Sequence, residues 1–66
     1  MKLTVNGEPF EVAQAESVAA LLEELKIGGR AVAVILNGDM VPANAREACR
    51  ISEGDHVLLF RFVAGG

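Results

Sequence analysis

The architecture of this chain turns on "HVLLFRFV", residues 56–63. It alternates as a strand does, yet both alternating sets are apolar. Val57 and Leu59 point one way, and Leu58, Phe60 and Phe62 point the other. A strand that is apolar on both sides belongs in the middle of a sheet. Periodicity alone cannot say which side meets the core. By bulk, Leu58, Phe60 and Phe62 are the stronger candidates for it.

Working outward, Gly54-Asp55 is a turn, and the preceding "ANAREACRIS" (43–52) is polar and small-residued, fit for a short helical turn and a loop. Before it, "RAVAVILNGDMVP" (30–42) is a strand dense in β-branched residues that ends at Asn37-Gly38. Val32, Val34 and Leu36 form one face of this strand, and Ala31, Ala33 and Ile35 the other. At the other end of the chain, "MKLTV" (1–5) alternates with Leu3 and Val5 on one side. Asn6-Gly7 follows, a dipeptide that tolerates positive φ at both centres of a hairpin turn. "EPFEV" (8–12) returns with Phe10 and Val12 apolar. Pro9 lacks an N–H to donate, so this second strand is expected at a sheet edge.

Between the hairpin and the third strand the period changes. In "ESVAALLEELKIGG" (16–29), Val18, Leu21, Leu22 and Leu25 recur at helical spacing and form one stripe. Ser17 is the expected N-cap, with Ala20 where a capping box would place Glu or Gln. Gly28 or Gly29 is expected to supply the left-handed C-cap. The order is hairpin, helix, strand, irregular segment and central strand. That predicts an α+β protein of two layers, a mixed four- to five-stranded sheet with one main helix packed across one face. The ubiquitin-like β-grasp matches this order and size.

The 66 residues suffice for a single domain, 1–66, with residues 64–66 expected as a flexible tail. The net charge of −3, with six basic residues scattered among nine acidic ones, argues against a nucleic-acid partner. It suits a protein partner with a complementary positive surface. No apolar run reaches the length of a membrane span and no secretory series opens the chain, so a cytoplasmic protein without a membrane partner is expected. One cysteine and one histidine leave no disulfide and no metal spacing.

"MKLTVNGE" (1–8), "VILNGDMVP" (34–42), "EGDHVLLF" (53–60) and the final "AGG" (64–66), in this order and spacing, resemble the ThiS-type sulfur carriers of thiamin biosynthesis across essentially the whole chain. Where many such carriers have Trp or His after the "VP", this chain has "ANAREAC". The resemblance implies a carrier, not a catalyst. A ThiF-type adenylyltransferase would use ATP to adenylate the carboxylate of Gly66, with no cofactor bound by the carrier itself. Sulfur supplied by a cysteine desulfurase would then give a thiocarboxylate, and a thiazole synthase of the ThiG type would receive the sulfur. Ala64, Gly65 and Gly66 would thread the partner's active site. The resemblance also turns the last strand over, with Val57 and Leu59 under the helix. Leu58, Phe60 and Phe62 would then join Ile35 on an open face where a partner docks.

The tail chemistry has its own physical logic. A carboxylate is a poor electrophile, because its charge repels nucleophiles and oxide does not leave. Adenylation removes the charge and installs a leaving group. A glycine carboxylate carries no α-substituent, and two glycines let backbone approach an enzyme closely.

Other residues read more simply. Cys49 is a small hydrophobe, although Arg46 and Arg50 could lie near its thiol on a helical turn. His56 and Asp55 belong to no catalytic arrangement, and Gly28-Gly29 lacks the spacing of a phosphate loop. Three rivals share the fold: a molybdopterin synthase small subunit, a ubiquitin-like modifier with a lysine acceptor, and an interaction module whose glycines do nothing covalent.

Overall fold

The computed structural model describes residues 1–27 and 32–61. Strands β1 (Lys2–Val5) and β2 (Glu8–Glu11) form the expected antiparallel hairpin. Asn6 and Gly7 have φ of 52° and 84°, the positive pair that a two-residue turn matched to strand twist requires. The sequence repeats the device at Asn37 and Gly38, with φ of 51° and 90°. There it joins β3 (Val32–Leu36) to a short β4 (Asp39–Val41), a strand the alternation pattern left unassigned. Three residues are too few to show a period.

The last strand, β5 (His56–Arg61), is central, as its two-sided apolar pattern predicts. The sheet order is β2-β1-β5-β3-β4, with β5 parallel to β1 and antiparallel to β3. Pro9 lies on the edge strand β2, where its missing N–H costs no rung.

Helix α1 (Val18–Glu24) lies over one face of the sheet and buries Val18, Leu21 and Leu22. Its first amides are satisfied from two directions. Ser17 Oγ accepts the Ala20 amide at 3.2 Å. The amides of Val18 and Ala19 donate to the carbonyls of Cys49 and Arg46, at 2.8 and 2.9 Å. The irregular segment around the 3₁₀ turn Ala43–Ala45 is thus the cap of the helix as well as a connection.

The helix stops earlier than its glycines suggest. Lys26, not Gly28 or Gly29, takes the left-handed position just past the end, with φ of 60°. The Lys26 amide donates to Glu23 O at 3.0 Å and the Ile27 amide to Leu22 O at 2.9 Å. These are the two bonds of a Schellman motif, with Ile27 and Leu22 as its apolar pair. Gly28 and Gly29 lie outside the described residues.

Between helix and sheet, Leu3, Val18, Leu21, Val34 and Val57 are each less than 2% exposed. Burying a side chain of this size stabilises the fold by about 2 kcal/mol. Phe10, Leu25, Ile27, Leu36 and Leu59 pack around them. Val57 and Leu59 therefore face the helix, and the assignment of the last strand by bulk is reversed. Leu58 is 42% exposed and Phe60 51% exposed, while Phe62 lies outside the described residues. Val57 and Leu59 take the core face because α1 lies over it, with Val18, Leu21 and Leu22 in the same buried cluster.

Candidate functional site

The sheet face opposite the helix carries the candidate site. Register fixes its layout: Ile35 on β3 stands opposite Leu58 on β5 and opposite Met40 on β4. One apolar row thus crosses three strands. Ala33 stands opposite Phe60 and begins a second row beside it. Toward β1 the same face becomes polar, with His56 opposite Thr4.

Leu58, Phe60 and Met40 are exposed and Ile35 is half-buried between neighbours. Met40 is 69% exposed and was not among the residues the sequence singled out. The signal was present: a two-residue Asn-Gly turn after Leu36 sets Met40 opposite Ile35. Large apolar groups gathered on one face of a small protein mark a contact surface for another protein.

The remaining predicted site residues, Phe62, Ala64, Gly65 and Gly66, lie outside the described residues. The structure brings Ile35, Leu58 and Phe60 together on β3 and β5, and β5 runs directly toward those residues in sequence.

Both Asn-Gly turns hold β5 through their asparagine side chains. Asn37 Oδ1 accepts the His56 amide at 2.9 Å, at the start of the strand. Asn6 Oδ1 accepts the Leu59 amide at 2.8 Å, on the other edge. Asp55 joins the first of these, taking Asn37 Nδ2 at 3.0 Å and the Ser52 amide at 2.7 Å. Sequence reasoning saw two turns and missed these rungs, because the strand they hold is distant in the chain.

Other candidates take structural places. Cys49 is a half-buried free thiol packed against the core. The guanidinium of Arg46 donates to the Val32 carbonyl, and Arg50 lies 3.9 Å from Glu16. At the C-terminal end of α1, the Glu24 carboxylate accepts the amides of Ala13 at 2.6 Å, Gln14 at 3.3 Å and Ala15 at 3.2 Å. The Ala13 bond foremost, with those of Gln14 and Ala15, holds its carboxyl below the ordinary 4.5 against a smaller opposing effect of burial. This pins the loop entering the helix and lies away from the open face. Among the described residues no cluster of His, Cys, Asp and Glu is arranged to hold a metal ion. None of their helices is long and apolar enough to cross a membrane.

Comparison with known proteins agrees with this architecture. Over its whole length the chain is 30% identical to the whole of the sulfur carrier protein ThiS of Escherichia coli. It is 36% identical to part of a thiazole synthase of Paramagnetospirillum magneticum, in which its 66 residues span 20% of the length. The crystal structure of the thiamine biosynthesis protein ThiS from Geobacter metallireducens superposes with a TM-score of 0.83, at 42% identity and with both chains fully covered. That neighbour and the mixed five-stranded sheet with one helix establish the ubiquitin-like β-grasp fold. The ThiS family model matches residues 3–66, and the chain belongs to the ThiS family.

Proposed function

We propose that this protein is a sulfur carrier of thiamin biosynthesis that works through the carboxylate of Gly66. It is a protein cosubstrate, not a catalyst. The observation that carries the reading is the apolar row of exposed Met40, half-buried Ile35 and exposed Leu58, with exposed Phe60 beside it, on the side of the sheet away from the helix. Family membership over residues 3–66 gives that docking face its chemistry.

In this reading Leu58, Phe60 and Ile35, with Phe62 and Met40, seat the carrier on its enzymes. Ala64, Gly65 and Gly66 reach the reacting centre. An adenylyltransferase of the ThiF type spends ATP to convert the Gly66 carboxylate to an acyl-adenylate, releasing pyrophosphate. Sulfur drawn from cysteine by a desulfurase and carried as a persulfide then displaces AMP to give an acyl disulfide. Attack of a second thiol on the S–S bond releases the thiocarboxylate, leaving the two thiols joined as a disulfide. Thiazole synthase takes up that sulfur. The protein matched in Paramagnetospirillum magneticum supports this last partner, since it bears the name thiazole synthase and contains a segment similar to this whole chain. The reading includes a cytoplasmic location and no cofactor bound by the carrier itself.

Intact-mass measurement tests the proposal. The protein is incubated with the activating enzyme, ATP, cysteine and a desulfurase. Exchange of one oxygen for sulfur, lost on deletion of Gly66, is expected. Unchanged mass with active enzymes overturns the carrier chemistry in favour of a non-covalent binding module. Substituting Gly65→Val should suppress the exchange while the thermal melt stays near that of the unaltered protein. A thiamin requirement on loss of the gene, rather than a molybdenum-cofactor requirement, fixes the pathway.

A further inference from the structure

Asn6 closes the β1–β2 turn, yet its side chain belongs to a different ladder. β1 and β5 run parallel, with the Thr4 amide on Asp55 O at 2.9 Å and the Asn6 amide on Val57 O at 2.8 Å. By the spacing of a parallel ladder, the next rung would send the Leu59 amide to the Asn6 carbonyl. The backbone turns at Asn6 instead, and the side-chain Oδ1 takes the Leu59 amide at 2.8 Å. The side chain supplies one rung more than β1 has backbone for. Beyond it, among the described residues, Phe60 and Arg61 pair only with β3.

We propose that Asn6 is a positioning residue for the chemistry at Gly66. Its side-chain rung holds both edges of β5 as far as Leu59, seven residues before Gly66. That sets where the anchored strand hands over to the segment that enters the enzyme. Without the rung, two-edged pairing ends at Val57, and a further two residues, about 6.6 Å of strand, are held from one side only. Reaction at a distant carboxylate is sensitive to such loosening, since a misplacement of about 1 Å can cost about a hundredfold in rate. The docking row is spared, because Leu58 and Ile35 are held by the β3–β5 ladder. The inference rests on the reading of Gly66 given above.

The turn and the rung can be separated. Asn6→Gly keeps the positive φ that the turn needs and removes Oδ1. Asn6→Ser is a second loss of the rung, its hydroxyl too short to reach. Asn6→Asp keeps an acceptor at the same reach and tolerates the same backbone. Each full-length variant is assayed with a ThiF-type adenylyltransferase and ATP. A Gly66 carboxylate oxygen bonds to the α-phosphorus, the bond to the β-phosphate oxygen breaks, and the released pyrophosphate is counted. Asn6→Gly and Asn6→Ser are expected to lower kcat about tenfold with KM within about twofold, and Asn6→Asp to restore kcat. Hydrogen exchange at the Leu59 amide should quicken about tenfold in the first two and stay slow in the third. Wild-type kcat in Asn6→Gly and Asn6→Ser despite fast Leu59 exchange overturns the proposal, as does a rise in KM with kcat unchanged. No pyrophosphate from the unaltered chain overturns the Gly66 reading along with it. Pyrophosphate from the unaltered chain and an indifferent Asn6→Gly overturn this proposal alone.

Discussion

Asn37 and His56 are tied by two hydrogen bonds. The Asn37 amide donates to the His56 carbonyl at 2.8 Å, and the His56 amide donates to Asn37 Oδ1 at 2.9 Å. The residue that turns β3 into β4 also fixes where β5 enters the sheet. Asn37→Ala loses both side-chain bonds, the one Oδ1 accepts from the His56 amide and the one Nδ2 donates to Asp55, each worth about 1 kcal/mol. It also puts a Cβ without polar compensation at positive φ, costing about 1 kcal/mol more. Asn37→Gly loses the same two bonds without the Cβ at positive φ. In thermal or urea melts the alanine variant should be the less stable of the two, by about 1 kcal/mol or some 4–8 °C in Tm.

The two faces of the sheet should respond oppositely to substitution. Leu58→Asp, on the open face, is expected to change stability by less than about 1 kcal/mol while raising KM for the activating enzyme at least about tenfold. Leu21→Ala, at a site 0% exposed, should cost about 3 kcal/mol by leaving a cavity. That is a large part of the stability available to a domain of this size. Melts and initial rates on the two variants check the pair. A Leu58→Asp protein that melts far below the parent would contradict the open face.

At the end of α1, Lys26 occupies a left-handed backbone position that glycine fills without a Cβ penalty. Lys26→Gly relieves about 1 kcal/mol of strain and gives some back through the freer unfolded chain. A net gain of about 0.5 kcal/mol is expected, read as a higher urea midpoint at unchanged slope.

Glu24 links stability to pH. Its carboxyl is held below 4.5 in the folded protein, chiefly by the Ala13 amide and then by those of Gln14 and Ala15. Because the folded value is the lower one, the stabilisation is complete above the unfolded value. It is lost as pH falls through the folded one. Glu24→Gln should therefore be less stable than the parent near neutrality, and the gap should narrow as the pH falls below the ordinary carboxyl value of 4.5. Urea melts of both proteins across that range measure the gap, and a constant gap would show that charge plays no part.

Much of the fold could be read locally. Asn6-Gly7 announces the first hairpin, because few residue pairs accept positive φ twice in succession. The leucine stripe with Ser17 before it gives the helix and its start, and Pro9 places β2 at an edge. What failed locally had competing solutions. The end of the helix went to Lys26 because Leu22 and Ile27 close an apolar pair around it, which outweighed the preference for a glycine. β4 escaped notice because its three residues are a strand only by virtue of β3.

Pattern and order along the chain were enough to put the last strand in the middle of the sheet and one helix across one face. Only the tertiary structure decided which face of that strand is open. Alternation records that Val57 and Leu59 differ in direction from Leu58 and Phe60, but both sets are apolar and a period carries no sign. The sign came from α1, whose Val18, Leu21 and Leu22 close over Val57 and leave Leu58, Phe60, Ile35 and Met40 outside. The same holds for the asparagine rungs. A turn is written in two adjacent residues, whereas the Asn6–Leu59 bond joins groups 53 positions apart, and only the folded sheet brings them within 2.8 Å.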